Sequence, residues 1–79
     1  MSDEILIAEF EQQAEMAYAA MYDMAPHGVE DCFDDARAHF ANAIDAAQQA
    51  GLAQAATRLV NRLKHVEEVY KSQFRNVGR

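Results

Sequence analysis

Helix-breaking residues are rare in this chain, and their positions constrain its fold more than any other feature. The sequence of 79 residues contains one proline and three glycines. Pro26 and Gly28 stand together, whereas Gly51 and Gly78 stand alone. The stretches between them are rich in Ala, Glu, Gln, Leu, Met and Arg, which have high helix propensity. The chain is therefore expected to form helices separated by short connections.

Apolar residues recur at alternating intervals of three and four in each stretch, which places them on one face of an α-helix. The first set is Ile7, Phe10, Ala14, Ala17, Met21 and Met24. The second set is Val29, Phe33, Ala36, Phe40, Ala43, Ala47 and Ala50. The third set is Leu52, Ala56, Leu59, Leu63, Val66 and Tyr70. The sequence predicts three helices, at approximately 2–24, 29–50 and 52–75.

The predicted connections decide the architecture. A connection of about five residues and another of one or two force neighbouring helices to run antiparallel. The end signals agree, because Ser2 can cap the first helix and Gly51 suits the left-handed position after the second. We therefore expect an all-α protein, an up-down-up bundle of three antiparallel helices that forms a single domain over 1–79.

Charge divides the chain unevenly. The net charge is −6, which argues against a general binder of nucleic acid or anionic membranes. Residues 1–51 contain eleven acidic residues and one basic residue, whereas 52–79 contain six basic and two acidic residues. The basic third helix is therefore expected to attract the two acidic helices along their rims.

The compartment is predicted from what the chain lacks. One cysteine excludes an intramolecular disulfide and fits a reducing environment. No apolar run approaches the ~18 residues of a membrane span, and the first residues do not resemble a signal peptide. The sequence predicts a cytoplasmic protein with no membrane association.

Enzymatic chemistry finds no support in the residue pattern. Scattered glycines cannot form a phosphate-binding loop, and the two serines, Ser2 and Ser72, lie near the chain ends. Cys32 has acidic neighbours that disfavour a reactive thiolate. We predict no catalytic residue, no cofactor site and no metal site, and hence a protein that is not an enzyme.

Two alternatives remain open at this point. A metal-binding bundle would use a carboxylate and an imidazole from each of two helices, namely Asp35, His39, His65 and Glu68. A nucleic-acid-associated regulator would need the bases of the third helix to project freely. Those bases are Arg58, Arg62, Lys64, Lys71 and Arg75.

The segment from Phe33 to Ile44 resembles the second helix of a tetratricopeptide repeat. Its aromatic and small residues alternate as in that family, at Phe33, Ala36, Phe40 and Ala43. The resemblance covers about a dozen residues, and the first helix lacks the family's Trp/Leu-Gly signature. It implies a helical scaffold that binds peptides or proteins.

Apolar residues outside the main stripe of the first helix give the most specific functional hypothesis. Three packed helices need one stripe from each, so a further set indicates a second surface. The set is Ile5, Leu6, Met16, Tyr18 and Tyr22. These residues are predicted to form a partner interface in which Tyr18 and Tyr22 make an aromatic ridge. The expected function is a small protein-interaction module, most simply a homodimer.

Overall fold

The structure is a computed structural model that describes residues 3–23 and 26–74. Helix α1 spans Asp3–Ala20, α2 spans Pro26–Gln49, and α3 spans Ala53–Val69, followed by a π-helical turn at Tyr70–Phe74. The described ranges contain no strand. The predicted all-α fold of three antiparallel helices is confirmed.

The connection between α1 and α2 differs from the prediction. The segment 26–28 was expected to be loop, yet α2 begins at Pro26. Proline suits the first helical position, because that position needs no N–H donor and its φ is already helical. Helix α1 ends at Ala20, after which Met21, Tyr22 and Asp23 donate backbone hydrogen bonds to the residues three before them. Ser2, Met24 and Arg75 lie outside the described residues.

The turn between α2 and α3 follows the predicted glycine signal. Gly51 has a φ of 75°. The Leu52 amide donates to the Ala47 carbonyl at 2.9 Å, and the Gly51 amide donates to Gln48 at 3.1 Å. These bonds define a Schellman motif. Leu52 then packs back against the core, so α3 begins directly after the turn.

The predicted stripes supply the core. Met21, Phe40, Leu59 and Val66 are the largest side chains with no solvent-exposed surface. Small residues surround them on α2, which lets neighbouring helices approach closely. No buried residue in the described part of the chain is polar or charged. The remaining buried residues are Ile7, Ala14, Val29, Cys32, Phe33, Ala36, Ala43, Ala47 and Ala56.

Helix α2 is the central element. It packs against α1 along much of its length and against α3 to a lesser extent. The alanines on α2 allow the close approach, and α1 uses it more than α3 does.

The last turn of the chain departs from the regular helix predicted to reach residue 75. The π-helical turn coincides with two aromatic contacts. Tyr70 stacks on Phe33 of α2 with ring centroids 3.9 Å apart, and Phe74 meets Tyr22 edge to face at 5.0 Å. Such pairs add stability beyond their buried area. The wider turn thus brings both aromatic residues to the body of the protein.

Candidate protein-interaction surface

Two ion pairs join α1 to α3. The Arg58 guanidinium donates to both carboxylate oxygens of Glu11 at 2.6 and 3.0 Å. Arg62 donates to both oxygens of Glu15 at 2.7 and 2.8 Å. Both pairs are bidentate, the stronger geometry for a guanidinium and a carboxylate. Each joins residues 47 apart in sequence, so α1 and α3 run parallel in one fixed register.

The ion pairs change the chemistry of the groups beside them. The hydrogen bond from Arg58 lowers the pKa of Glu11 below its ordinary value of 4.5. Glu11 is therefore held ionised and is a poor proton donor. Arg62 also lies over the Tyr18 ring, 5.2 Å from its centroid. The hydrogen bond with Tyr22 and burial raise the pKa of Tyr18.

A groove of about 520 Å³ lies between the first half of α1 and the start of α3. Small or apolar residues form most of its lining, and the Glu11–Arg58 pair closes one side. Glu11 is held by Arg58, and the thiol and imidazoles of the described residues are not part of the lining. The groove therefore offers mainly apolar contact area beside an ion pair. Its lining residues are Glu4, Ile7, Ala8, Glu11, Gly51, Leu52, Ala53, Gln54, Ala55 and Arg58.

The structure separates the five predicted interface residues. Ile5 is 62% exposed and Met16 is 64% exposed, and Leu6 and Tyr22 are also exposed. Tyr18 is half-buried and packs against the core. Its hydroxyl lies 3.3 Å from that of Tyr22. Tyr18 and Tyr22 are therefore in contact, and Tyr18 is only partly exposed, whereas the sequence predicted that both face a partner.

Helix geometry divides the exposed residues further. Each helical residue is rotated by about 100° from the one before it. Met16 therefore lies about half a turn from the buried Ile7 and within about 20° of Ile5. Leu6 is rotated by about 80° from Met16, and Tyr22 contacts Phe74 beyond α3. Ile5 and Met16 thus share a face directed away from the core, and the other residues flank it.

This face has a regular composition. Exposed residues follow one another at intervals of four, three, four and three, which is the spacing of one helical stripe. We call this stripe the outer face of α1. It consists of Ile5, Glu9, Gln12, Met16 and Ala19.

The residues of the metal hypothesis do not converge. Asp35, His65 and Glu68 are exposed, and His39 is half-buried. Nδ1 of His39 is buried without a hydrogen-bond partner in the described structure. Among residues 3–23 and 26–74, no three His, Cys, Asp or Glu side chains are placed to hold one metal ion. The four-ligand site proposed from the sequence is therefore not formed.

The nucleic-acid hypothesis required the bases of α3 to project freely. Arg58 and Arg62 do not, because each is bound to a carboxylate of α1. Lys64 and Lys71 are exposed, and Arg75 lies outside the described residues. The basic surface of α3 is therefore smaller than the sequence suggests.

Cys32 is a free, buried cysteine that belongs to the hydrophobic core. Within the described ranges, every helix is too short or too polar to cross a membrane.

The fold defines the class of the protein, an all-α protein of three antiparallel helices. Comparisons with protein-family models, curated proteins and solved structures found no match to this chain. The resemblance to a tetratricopeptide repeat therefore remains a resemblance. The residues that carry it lie in the middle of α2, where Phe33, Ala36, Phe40 and Ala43 are buried.

Sequence reasoning missed the groove and the individual ion pairs. It anticipated attraction between the acidic helices and α3, but it did not identify Glu11 and Glu15 as the acceptors. The available signal was their spacing, because Glu11 and Glu15 are four apart, as are Arg58 and Arg62. Two such pairs match whenever two helices run parallel in the right register.

Proposed function

We propose that this protein is a protein-interaction module without enzymatic activity, and that the outer face of α1 is its contact surface. One observation carries the proposal. Among the described residues, every large hydrophobic side chain that is strongly exposed belongs to α1 or to the turn after it. Single exposed apolar residues are common on proteins. The confinement of all the strongly exposed large ones to one element is instead typical of an interaction surface.

The outward side of α3 provides a contrast. Its exposed residues include Gln54, Asn61 and Lys64, and no large hydrophobic residue of α3 is strongly exposed. Both helices are outer elements that pack on α2. The apolar surplus of α1 is therefore not a requirement of its place in the fold, which supports a role in contact with a partner.

A photochemical experiment tests the proposal. A benzophenone amino acid replaces Met16 in the protein expressed in its own host, and the control carries the same group at Asn61 of α3. Both positions are exposed. We expect irradiation to give discrete protein adducts from position 16 that are absent from position 61. Adducts at both positions alike, or at neither, would contradict the proposal.

The mass of the adduct distinguishes the partners. A product of twice the chain mass would identify a second copy, as the sequence hypothesis of a homodimer predicts. Any other discrete mass would identify a different protein. Circular dichroism of both substituted proteins checks that their helical content is unchanged.

We also propose a cytoplasmic location, because a free buried cysteine fits a reducing compartment.

A further inference from the structure

The charges around the outer face of α1 indicate what kind of partner it fits. Helix α1 contains five acidic residues and no basic residue. Arg58 and Arg62 neutralise Glu11 and Glu15 at the seam with α3. Glu9, which lies on the outer face between Ile5 and Met16, makes no ion pair with any described residue. The outer face therefore presents apolar side chains beside an uncompensated negative charge.

We propose that the outer face of α1 binds a cationic amphipathic helix of a partner protein. This inference rests on the function proposed above and specifies the partner. Ile5 and Met16 are eleven residues apart, which corresponds to about 16.5 Å along the helix. A partner helix of three or more turns spans that distance with apolar residues at helical spacing. Lysine or arginine beside those residues would meet Glu9, which lies between Ile5 and Met16 on the same face.

A second copy of this chain fits the same face less well. Two α1 helices packed through their outer faces would bring Glu9 of each copy into one interface, and like charges across an interface disfavour association. Helix α3 of a second copy offers Lys64, but it has no strongly exposed large apolar side chain to cover Ile5 and Met16. Charge and apolar complementarity together favour a different, basic protein.

A designed peptide provides the probe. It is about 18 residues long, or five helical turns, with leucines on one face and lysines beside them. A matched peptide has glutamate in place of every lysine. We expect the full-length protein to bind the lysine peptide saturably, with affinity that falls as salt rises, and not to bind the glutamate peptide. Fluorescence anisotropy of a labelled peptide measures both.

Two substitutions separate the apolar and the charged contributions. Met16→Gln keeps the length of the side chain and adds no charge, and we expect it to weaken binding by about tenfold or more, the loss of one buried large apolar side chain. Glu9→Lys should also weaken binding. Its control is Asp45→Lys on α2, which makes the same change in net charge at an exposed position and should have a smaller effect.

Several results would overturn the inference. If Glu9→Lys and Asp45→Lys reduce the affinity for the peptide equally, binding depends only on net charge. If Met16→Gln leaves the affinity unchanged, the outer face is not the binding site. Sedimentation equilibrium without peptide provides the remaining distinction. A dimer that Met16→Gln dissociates would assign the face to a second copy, which overturns the cationic partner but preserves the interaction function. A monomer that binds neither peptide and gives no adduct at position 16 would overturn both proposals.

Discussion

Phe40 shows how much one residue contributes to a core of this size. Its side chain has no exposed surface, and it lies on α2, the element shared by both packing interfaces. Its buried neighbours on the helix, Ala36 and Ala43, are too small to fill the space that its loss would leave. Small domains have small cores and little stability to spare.

We predict that Phe40→Ala lowers the free energy of unfolding by about 3–5 kcal/mol, the cost of a large core aromatic side chain and its cavity. Urea denaturation followed by circular dichroism measures it. Gln48→Ala, at an exposed position on the same helix, should change stability by no more than about 0.5 kcal/mol. Similar losses in both variants would mean that Phe40 is not a core residue.

Gly51 is constrained by its backbone conformation. Its φ of 75° lies in the left-handed region, yet a Cβ atom there would meet nothing within 4 Å. We predict that Gly51→Ala lowers the free energy of unfolding by about 1–2 kcal/mol, the cost of that conformation for an L-residue. Gly51→Asn should cost less, because asparagine tolerates it better. Thermal denaturation measures both variants. If Gly51→Ala and Gly51→Asn lose the same stability, backbone strain in the turn is not the cause of the loss.

At the scale of elements, the sequence predicted one helix boundary well and another poorly. The turn at Gly51 was predictable because its hydrogen bonds join residues close in sequence. The start of α2 was not, because Pro26 both stops the preceding helix and suits the first position of the next. The outward residues of α1 could be identified as surplus to one stripe. Which of them face outward and which lie toward α3 could not be predicted, because that depends on where α3 packs.

The seam between α1 and α3 gives a pH-dependent prediction. The pKa of Glu11 is lower in the folded protein than its ordinary value of 4.5, so the Arg58 pair stabilises the fold above that pH and is lost as pH falls below it. Glu11→Gln should therefore reduce stability by about 0.2–1 kcal/mol at neutral pH, the range of exposed pairs. The difference from the unchanged protein should vanish in acid.

Urea denaturation at neutral and acidic pH measures this difference. Glu9→Gln is the matched control, because Glu9 lies on the same helix without an ion pair in the described structure. It should show little effect at either pH. A deficit in Glu11→Gln that persists undiminished in acid would indicate lost packing rather than a lost ion pair.

At the scale of the whole molecule, two outer helices of opposite character, α1 and α3, pack against α2. Helix α1 combines exposed apolar residues with Glu9, which makes no ion pair with a described residue, whereas the outward side of α3 is polar and carries Lys64. The two outer helices are linked across the surface mainly by side chains, through Glu11–Arg58 and Glu15–Arg62. One side of the described structure therefore has exposed large apolar residues and the other is polar, a distribution consistent with the proposed interaction function.

The central position of α2 also bears on how the chain finds its fold. The extensive helix contacts in the described structure join consecutive elements, so each can form by closing a short connection, which carries little entropic cost. Proteins dominated by such local contacts fold in microseconds to milliseconds. The ion pairs between α1 and α3 span 47 residues, so we expect them to form after the contacts between consecutive helices. We therefore expect removal of these ion pairs to speed unfolding more than it slows folding.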